Sequence, residues 1–282
     1  MSNSARHPSD STDSTPFIPG AGQTFASSAL PSHVLDLDPA QVKHLSLPHF
    51  LGIGAQKAGT SWLWKMLTFH PRLHLPGPKE QHYFDREIET VPLETYAARF
   101  KTEDARVAGE ITPAYAVLPE ARVALIRRVM PEVRLFMLLR NPVDRAWSQA
   151  LMNLVTQPDR RYEDVAPAEF FAHFDSAHAT ARGSYLRAID LWEKHFSKEQ
   201  FLVDFYEQIS VAPRALLSRV MRHVGVEPPG DWSGYPVEKV FFKGMDVVMP
   251  DVYRDHLRHK FRDDIERLYD RYGEPVDAWR VK

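Results

Sequence analysis

The 282-residue chain contains no cysteine. That absence removes disulfides, thiol nucleophiles and cysteine metal ligands, and matches the usage of a reducing compartment. Neither sign of charge is in excess: 35 Lys and Arg stand against 37 Asp and Glu, a formal net charge of -2. A general nucleic-acid binder draws its affinity from a surplus of basic side chains, so no nucleic-acid partner is expected and any anion site must be local. No run of about 20 apolar residues, the length of a membrane span, is present, and the N-terminus lacks the basic and apolar regions of a secretory signal. The expectation is a cytoplasmic protein without a membrane span. Met1 to about Leu47 is rich in Ser, Pro, Thr and Asp, and periodic apolar patterning is scarce there until Val34 to Leu47. Such a segment buries too little apolar surface to order itself, which predicts a flexible arm over residues 1–47 and one domain over 48–282.

What is present is organised around FLGIGAQKAGTSWLWKMLTF, residues 50–69. Phe50, Leu51 and Ile53 read as a buried strand, and Trp62, Leu63, Met66 and Leu67 share one face at a period near 3.6. Between them, Gly54 and Gly59 allow backbone N–H groups to turn inward at a helix N-terminus, where the macrodipole favours anions. Lys57, Thr60 and Ser61 add one positive charge and two hydroxyls. Phosphate or sulfate is the ligand such a loop suits.

The alternation continues downstream. Val107 to Glu110 reads as a strand, a helix begins near Pro119 and stops before Pro131, and Leu135 to Leu139 is the most strand-like run, closed by Arg140-Asn141-Pro142. A helix follows, carrying Ala146, Trp147, Ala150, Leu151 and Leu154 on its apolar side. Further on, Phe201 to Phe205 is a strand, Ala215 to Val224 a helix, and Tyr253 to Tyr272 a long apolar stripe. Gln157 to Arg182 and Glu227 to Pro250 carry no readable pattern. Strand, turn and helix in alternation imply an α/β fold with a parallel sheet, whose ligand cleft lies at the carboxyl ends of the strands. Lys57 and Arg140 both fall at such ends.

The loop departs from the nucleoside-triphosphate pattern G-x-x-x-x-G-K-[ST]. With Gly54 and Gly59 as its glycines, Thr60 stands where the lysine is required, and the lysine sits at 57. A magnesium-binding acid is needed at the end of a neighbouring strand, yet the clearest candidate ends in Arg140. A metal-free anion fits better than a metal-bound triphosphate.

The run GAQKAGTSWLWKML resembles the loop of sulfotransferases that cradles the 5′-phosphosulfate of 3′-phosphoadenosine 5′-phosphosulfate (PAPS), and LLRNPVDRAWSQ resembles that family's 3′-phosphate segment. KEQHYFD, ITPAYA, RGSYLRAIDLWEKHF and FLVDFYEQI extend the likeness over roughly residues 48–280, nearest to the carbohydrate-type and bacterial branch. The resemblance implies a P-loop-like three-layer fold, with a central parallel sheet flanked by helices. It implies PAPS as donor, adenosine 3′,5′-bisphosphate (PAP) as product, a hydroxyl-bearing acceptor and no metal. By the same likeness Lys57 contacts the sulfuryl group, Ala58, Gly59, Thr60 and Ser61 hold the 5′-phosphate, and Arg140 and Ser148 hold the 3′-phosphate. Trp62 stands where some relatives stack on adenine, and Tyr185, Lys243 and Gly244 match nucleotide-contacting positions more loosely. Core packing for Trp62 and Tyr185, and a solvated Lys243, are the competing readings.

In related carbohydrate enzymes a glutamate in the position of Glu80 is the general base. A carboxylate suits that task when partial burial raises its pKa, which Tyr83 and Phe84 favour and Lys79 opposes. His82 is the rival base, or else a hydrogen-bonded wall residue. Where many relatives carry a lysine, in the segment containing Glu110 and Thr112, this chain has Ile111. Glu110 and Tyr115 stand either in the acceptor site or with structural partners, and Arg145 reaches an anion or makes a surface ion pair. Two other classes share the loop: a P-loop-like nucleotide kinase and a non-catalytic nucleotide-binding protein.

Overall fold

Continuous apolar runs become strands buried on both faces, and the stripes of period 3.6 become the helices that cover them. The computed structural model describes residues 26–280, apart from 36, 157–159, 240, 242 and 243. Its centre is a five-stranded parallel sheet of β1 (Phe50–Gly54), β2 (Leu73–His74), β3 (Val107–Ile111), β4 (Arg134–Leu139) and β5 (Phe201–Phe205), in the order β2-β3-β1-β4-β5. Every residue of β1 is buried. The chain leaves β1 for β2 and β3 on one side and returns to β4 and β5 on the other. The order therefore reverses at β1, and at such a reversal an open α/β sheet places its ligand crevice, here outside the carboxyl ends of β1, β3 and β4.

Helices α1 (Thr60–Thr68), α2 (Leu93–Ala98), α3 (Glu120–Val129), α4 (Pro142–Leu154), α5 (Pro167–Asp175), α6 (Ala177–Gly183), α7 (Tyr185–Glu193), α8 (Pro213–Val224) and α9 (Asp251–Tyr272) flank the sheet. Pro142 opens α4 at a position that needs no amide donor, and the Asn141 side chain accepts from the Val143 N–H at 3.0 Å. α9 runs along α4, α5 and α7, with Tyr253, Leu257, Phe261, Ile265 and Leu268 turned inward.

Two stretches behave differently from their composition. The arm expected over residues 1–47 meets the body of the protein well before residue 48. Val34 and Val42 are buried, Arg128 donates to the Val34 carbonyl at 2.6 Å and Arg122 to the Ser27 carbonyl at 3.0 Å. Residues 1–25 lie outside the described part. Gln157 to Arg182, unpatterned to the eye, contains α5 and α6. Phe170 and Phe174, four apart on α5, pack on Tyr253 with ring centroids 5.1 and 5.7 Å away.

The sheet's close packing depends on glycine. A Cβ on Gly52 would lie 2.6 Å from the Phe136 ring and 2.8 Å from Ile111 Cγ2. Gly52→Ala should therefore overpack the core and cost about 1–3 kcal/mol, lowering the urea midpoint at unchanged m-value. An unchanged midpoint would contradict this packing.

Candidate active site

The crevice is built first by the turn after β1. Lys57 has φ 69° and Gly59 φ 78°, both left-handed, and Gly59 caps α1. At Gly59 the conformation and the space agree: a Cβ there would sit 2.3 Å from Ile209 Cδ1 and 2.9 Å from the Tyr206 ring. Ala58 and Thr60 are buried, while Gln56, Lys57, Gly59 and Ser61 remain partly exposed along the turn. The turn thus leaves the Lys57 ammonium and the Ser61 hydroxyl partly exposed at the N-terminal end of α1, with Thr60 buried beside them.

The carboxyl end of β4 supplies the second wall. Arg140 donates from Nη1 to the Lys57 carbonyl at 3.0 Å, and its guanidinium lies 4.6 Å above the Tyr206 ring. The Tyr185 hydroxyl donates to the Arg140 carbonyl at 2.8 Å. Ser148, two turns along α4 from Arg140, is half-buried and makes no side-chain hydrogen bond among the described residues. Burial, with the charge of Arg140, lowers the Lys57 pKa, and Glu80 opposes that shift. Lys57 Nζ also approaches Met152 Sδ at 3.9 Å.

The third wall is the segment around Glu80. Glu80 has φ 69° and His82 φ 54°, so with Lys57 they are the non-glycine residues at positive φ among those described. Strain of this kind persists only where surrounding contacts enforce it, and it clusters at functional sites. The enforcing group here is Glu110, buried at the end of β3. Its carboxylate accepts from Tyr96 at 2.5 Å, Tyr115 at 2.9 Å, Thr112 at 2.5 Å and the Gln81 N–H at 3.3 Å. The Tyr115 hydroxyl in turn accepts from the Tyr83 N–H at 3.1 Å, and Arg122 donates to the Phe84 carbonyl at 2.8 Å. Burial raises the Glu110 pKa, and these donors oppose it. Glu110 and Tyr115 therefore hold the segment from behind.

On the cleft side, the Glu80 carboxylate pairs with Lys79 Nζ and lies 3.3 Å from His82 Nε2, whose Nδ1 is 2.8 Å from Asp85 Oδ2. Burial favours the neutral Glu80 acid, but the hydrogen bond from His82 and the charge of Lys79 outweigh it and hold the pKa down at about 2. The expected raising of Glu80 by Tyr83 and Phe84 does not occur: both rings pack away into an aromatic cluster with Tyr96. Burial likewise disfavours the His82 imidazolium, yet Asp85 and Glu80 overcome it and raise the pKa to about 9. His82 thus carries its proton at neutral pH and bridges two carboxylates.

Other predicted positions fall outside this cluster. Trp62 is buried and donates to the Val237 carbonyl at 3.1 Å, under the loop before α9. Tyr185 is buried, reaching the site through Arg140. Gly244 is exposed with nothing near its would-be Cβ, and Lys243 lies outside the described residues. Ile111 is fully buried against Gly52 and offers no charge. Arg145 makes neither a surface ion pair nor an exposed anion contact, being completely buried. Sequence reasoning passed over Asp85, three residues after His82, and the glutamines Gln56 and Gln149, joined at 3.1 Å. The i, i+3 spacing of His82 and Asp85 was the one available signal. Among the described residues, no group of His, Asp and Glu is arranged to hold a metal ion, and no helix is long and apolar enough to cross a membrane.

A central parallel sheet flanked by helices, with a glycine-containing turn after its first strand and an arginine at the end of the adjacent strand, defines a P-loop-like α/β fold. The sulfotransferase-domain family model matches residues 47–239, and the chain belongs to that family. Among curated proteins, heparan sulfate glucosamine 3-O-sulfotransferase 3A1 from Homo sapiens is 30% identical over 211 residues, 74% of this chain and 51% of that protein. Bifunctional heparan sulfate N-deacetylase/N-sulfotransferase 4 from Mus musculus is 25% identical over 276 residues, 83% of this chain and 31% of that protein. The chain thus spans about half or less of the length of these relatives. A crystal structure of a sulfotransferase from Alicyclobacillus acidocaldarius shares the fold, with a TM-score of 0.65 at 22% identity over 84% of this chain and 100% of that one.

The His82 shift has a measurable consequence. A group whose folded pKa is raised stabilises the fold fully below its ordinary value of 6.5 and loses that contribution as pH rises through about 9. Thermal midpoints of the wild type should fall over this interval more steeply than those of His82→Gln. Parallel slopes would show that His82 carries no such proton.

Proposed function

We propose that the protein transfers a sulfuryl group from PAPS to an acceptor hydroxyl by direct in-line displacement. The observation that carries this reading is the convergence of Lys57, Glu80 and His82, all on left-handed backbone, at the carboxyl edge of one sheet. Lys57 and Glu80 are close enough to feel each other's charge, as Lys57 and Arg140 do. The turn before α1, with Lys57, Thr60 and Ser61, suits the 5′-phosphosulfate, and Arg140 with Ser148 suits the 3′-phosphate. Arginine offers a planar fork for that dianion, and the ammonium of Lys57 stands where charge builds on the departing phosphate.

Glu80 is the group that receives the acceptor's proton. Its low proton affinity makes it first an acceptor of the hydroxyl's hydrogen bond, aligning the oxygen with sulfur, with the proton moving late. Late proton movement agrees with a loose transition state of the kind analysed for phosphoryl transfer. His82, already protonated, orients Glu80 rather than competing with it. Hydroxyl acceptors accord with the 3-O-sulfotransferase name of one relative, whereas another is named for N-sulfation.

The reading is tested by incubating the protein with sulfur-labelled PAPS and cell extract, then identifying the labelled product by mass. An O-sulfate ester with release of PAP is expected. An N-sulfated product would overturn the hydroxyl assignment, and no labelled product the activity itself. Lys57→Ala should slow transfer by about a hundredfold or more, the scale of losing one preorganised donor. Glu80→Gln should abolish turnover while PAP binding persists; near-normal turnover would move the base elsewhere.

A further inference from the structure

Arg145 is fully buried on α4, one turn beyond Arg140, and no carboxylate neighbours it among the described residues. A buried cation without a counter-ion is costly unless hydrogen bonds or another charge compensate it. Its guanidinium donates from Nη1 to Gln149 Oε1 at 3.0 Å and from Nη2 to the Ala179 carbonyl at 3.4 Å, while Nε has no partner. Gln149, also fully buried, spends its amide on the other side, donating from Nε2 to Gln56 Oε1 at 3.1 Å. Gln56 immediately precedes Lys57. Arg145 also lies close enough to Tyr185 for their charges to couple, and the Tyr185 hydroxyl donates to the Arg140 carbonyl at 2.8 Å. One buried guanidinium is thereby tied to both anion-binding segments, through Gln149 and Gln56 to the Lys57 turn and through Tyr185 to Arg140. Gly183 beside it makes room for the Phe261 ring: a Cβ there would lie 2.7 Å from that ring, and in ordinary contact with Nη2 at 3.5 Å.

The charged groups nearest it are the arginines Arg140 and Arg182, the latter also within the field of Asp85 and Glu80. The charge of Arg145 is felt by Arg140, Arg182, His173 and His178, and it helps to push the His173 pKa down, after burial, to about 4. We infer that Arg145 is a positioning residue that braces the Lys57 turn against Arg140, and that its uncompensated charge is balanced when a nucleotide 3′-phosphate occupies the Arg140 and Ser148 corner. This inference rests on the nucleotide reading given above. It separates stability from affinity: the free protein carries an electrostatic cost that the ligand relieves.

Gln149→Glu tests it. A carboxylate beside Arg145 supplies the missing negative charge within the protein and offsets the lost Gln149 donor to Gln56, so the thermal midpoint of the free protein should hold or rise. Affinity for PAP, measured by isothermal titration, should fall about tenfold or more, the loss of roughly one buried charged hydrogen bond. Wild-type affinity in this variant would overturn the inference, since a merely structural arginine would alter the midpoint alone. Should the variant not fold, Arg145→Lys is compared with Arg145→Met. Tighter PAP binding by the lysine variant, by about tenfold or more, supports the charge role, and equal affinity overturns it. A wild-type protein that binds no PAP defeats the nucleotide reading itself.

Discussion

The buried carboxylate of Glu110 is the interaction on which the site's geometry depends. Three hydroxyls and one backbone amide converge on it at the end of β3. Two of these partners, the Gln81 amide and Tyr115, belong to or directly hold the segment that carries Glu80 and His82. Burying an ionisable carboxyl is unfavourable, and only a filled set of donors makes it tolerable. Once in place it fixes the backbone of residues 80–84 against the sheet, so left-handed conformations at Glu80 and His82 are enforced. The cleft face of that segment then presents a carboxylate held by Lys79 and His82, opposite the Lys57 turn.

Electrostatically the crevice is asymmetric. On the side proposed for the donor, Lys57, Arg140 and Arg145 accumulate without a matching carboxylate beside Arg145, and burial lowers the pKa of both Lys57 and Arg145. On the side proposed for the acceptor, Glu80 and Asp85 flank a protonated His82. An anion is favoured at the first side, and a hydroxyl needing an acceptor for its proton at the second. The proposed transfer of a sulfuryl group from a phosphate to a hydroxyl would use both.

Much of this was legible in the chain because short-range rules governed it. The apolar runs of β1, β4 and β5, the glycines of the Lys57 turn and the Arg140-Asn141-Pro142 helix start all obey local patterns, and the order of elements implied the parallel sheet. The sulfotransferase resemblance rested on the same stretches, and the family match confirms it. What stayed hidden was set by tertiary contact. Val34 and Val42 sit where periodicity begins in a Ser- and Pro-rich segment, and each finds a place in the core that the composition of the arm did not show. The charge state of His82 depends on Asp85 and Glu80 together, and the burial of Arg145 on helices far along the chain. The Glu80 pKa turned on which neighbours face the carboxylate, which composition alone does not specify.

The central claim is that the Lys57 turn and Arg140 form a metal-independent site for an adenosine bisphosphate rather than a magnesium triphosphate site. Calorimetric titration of the full chain with PAP in the presence of a chelator, and separately with magnesium ATP, tests it most directly. Saturable binding of PAP that needs no magnesium, with none of magnesium ATP, is the expected result. Binding of magnesium ATP without binding of PAP would contradict the account.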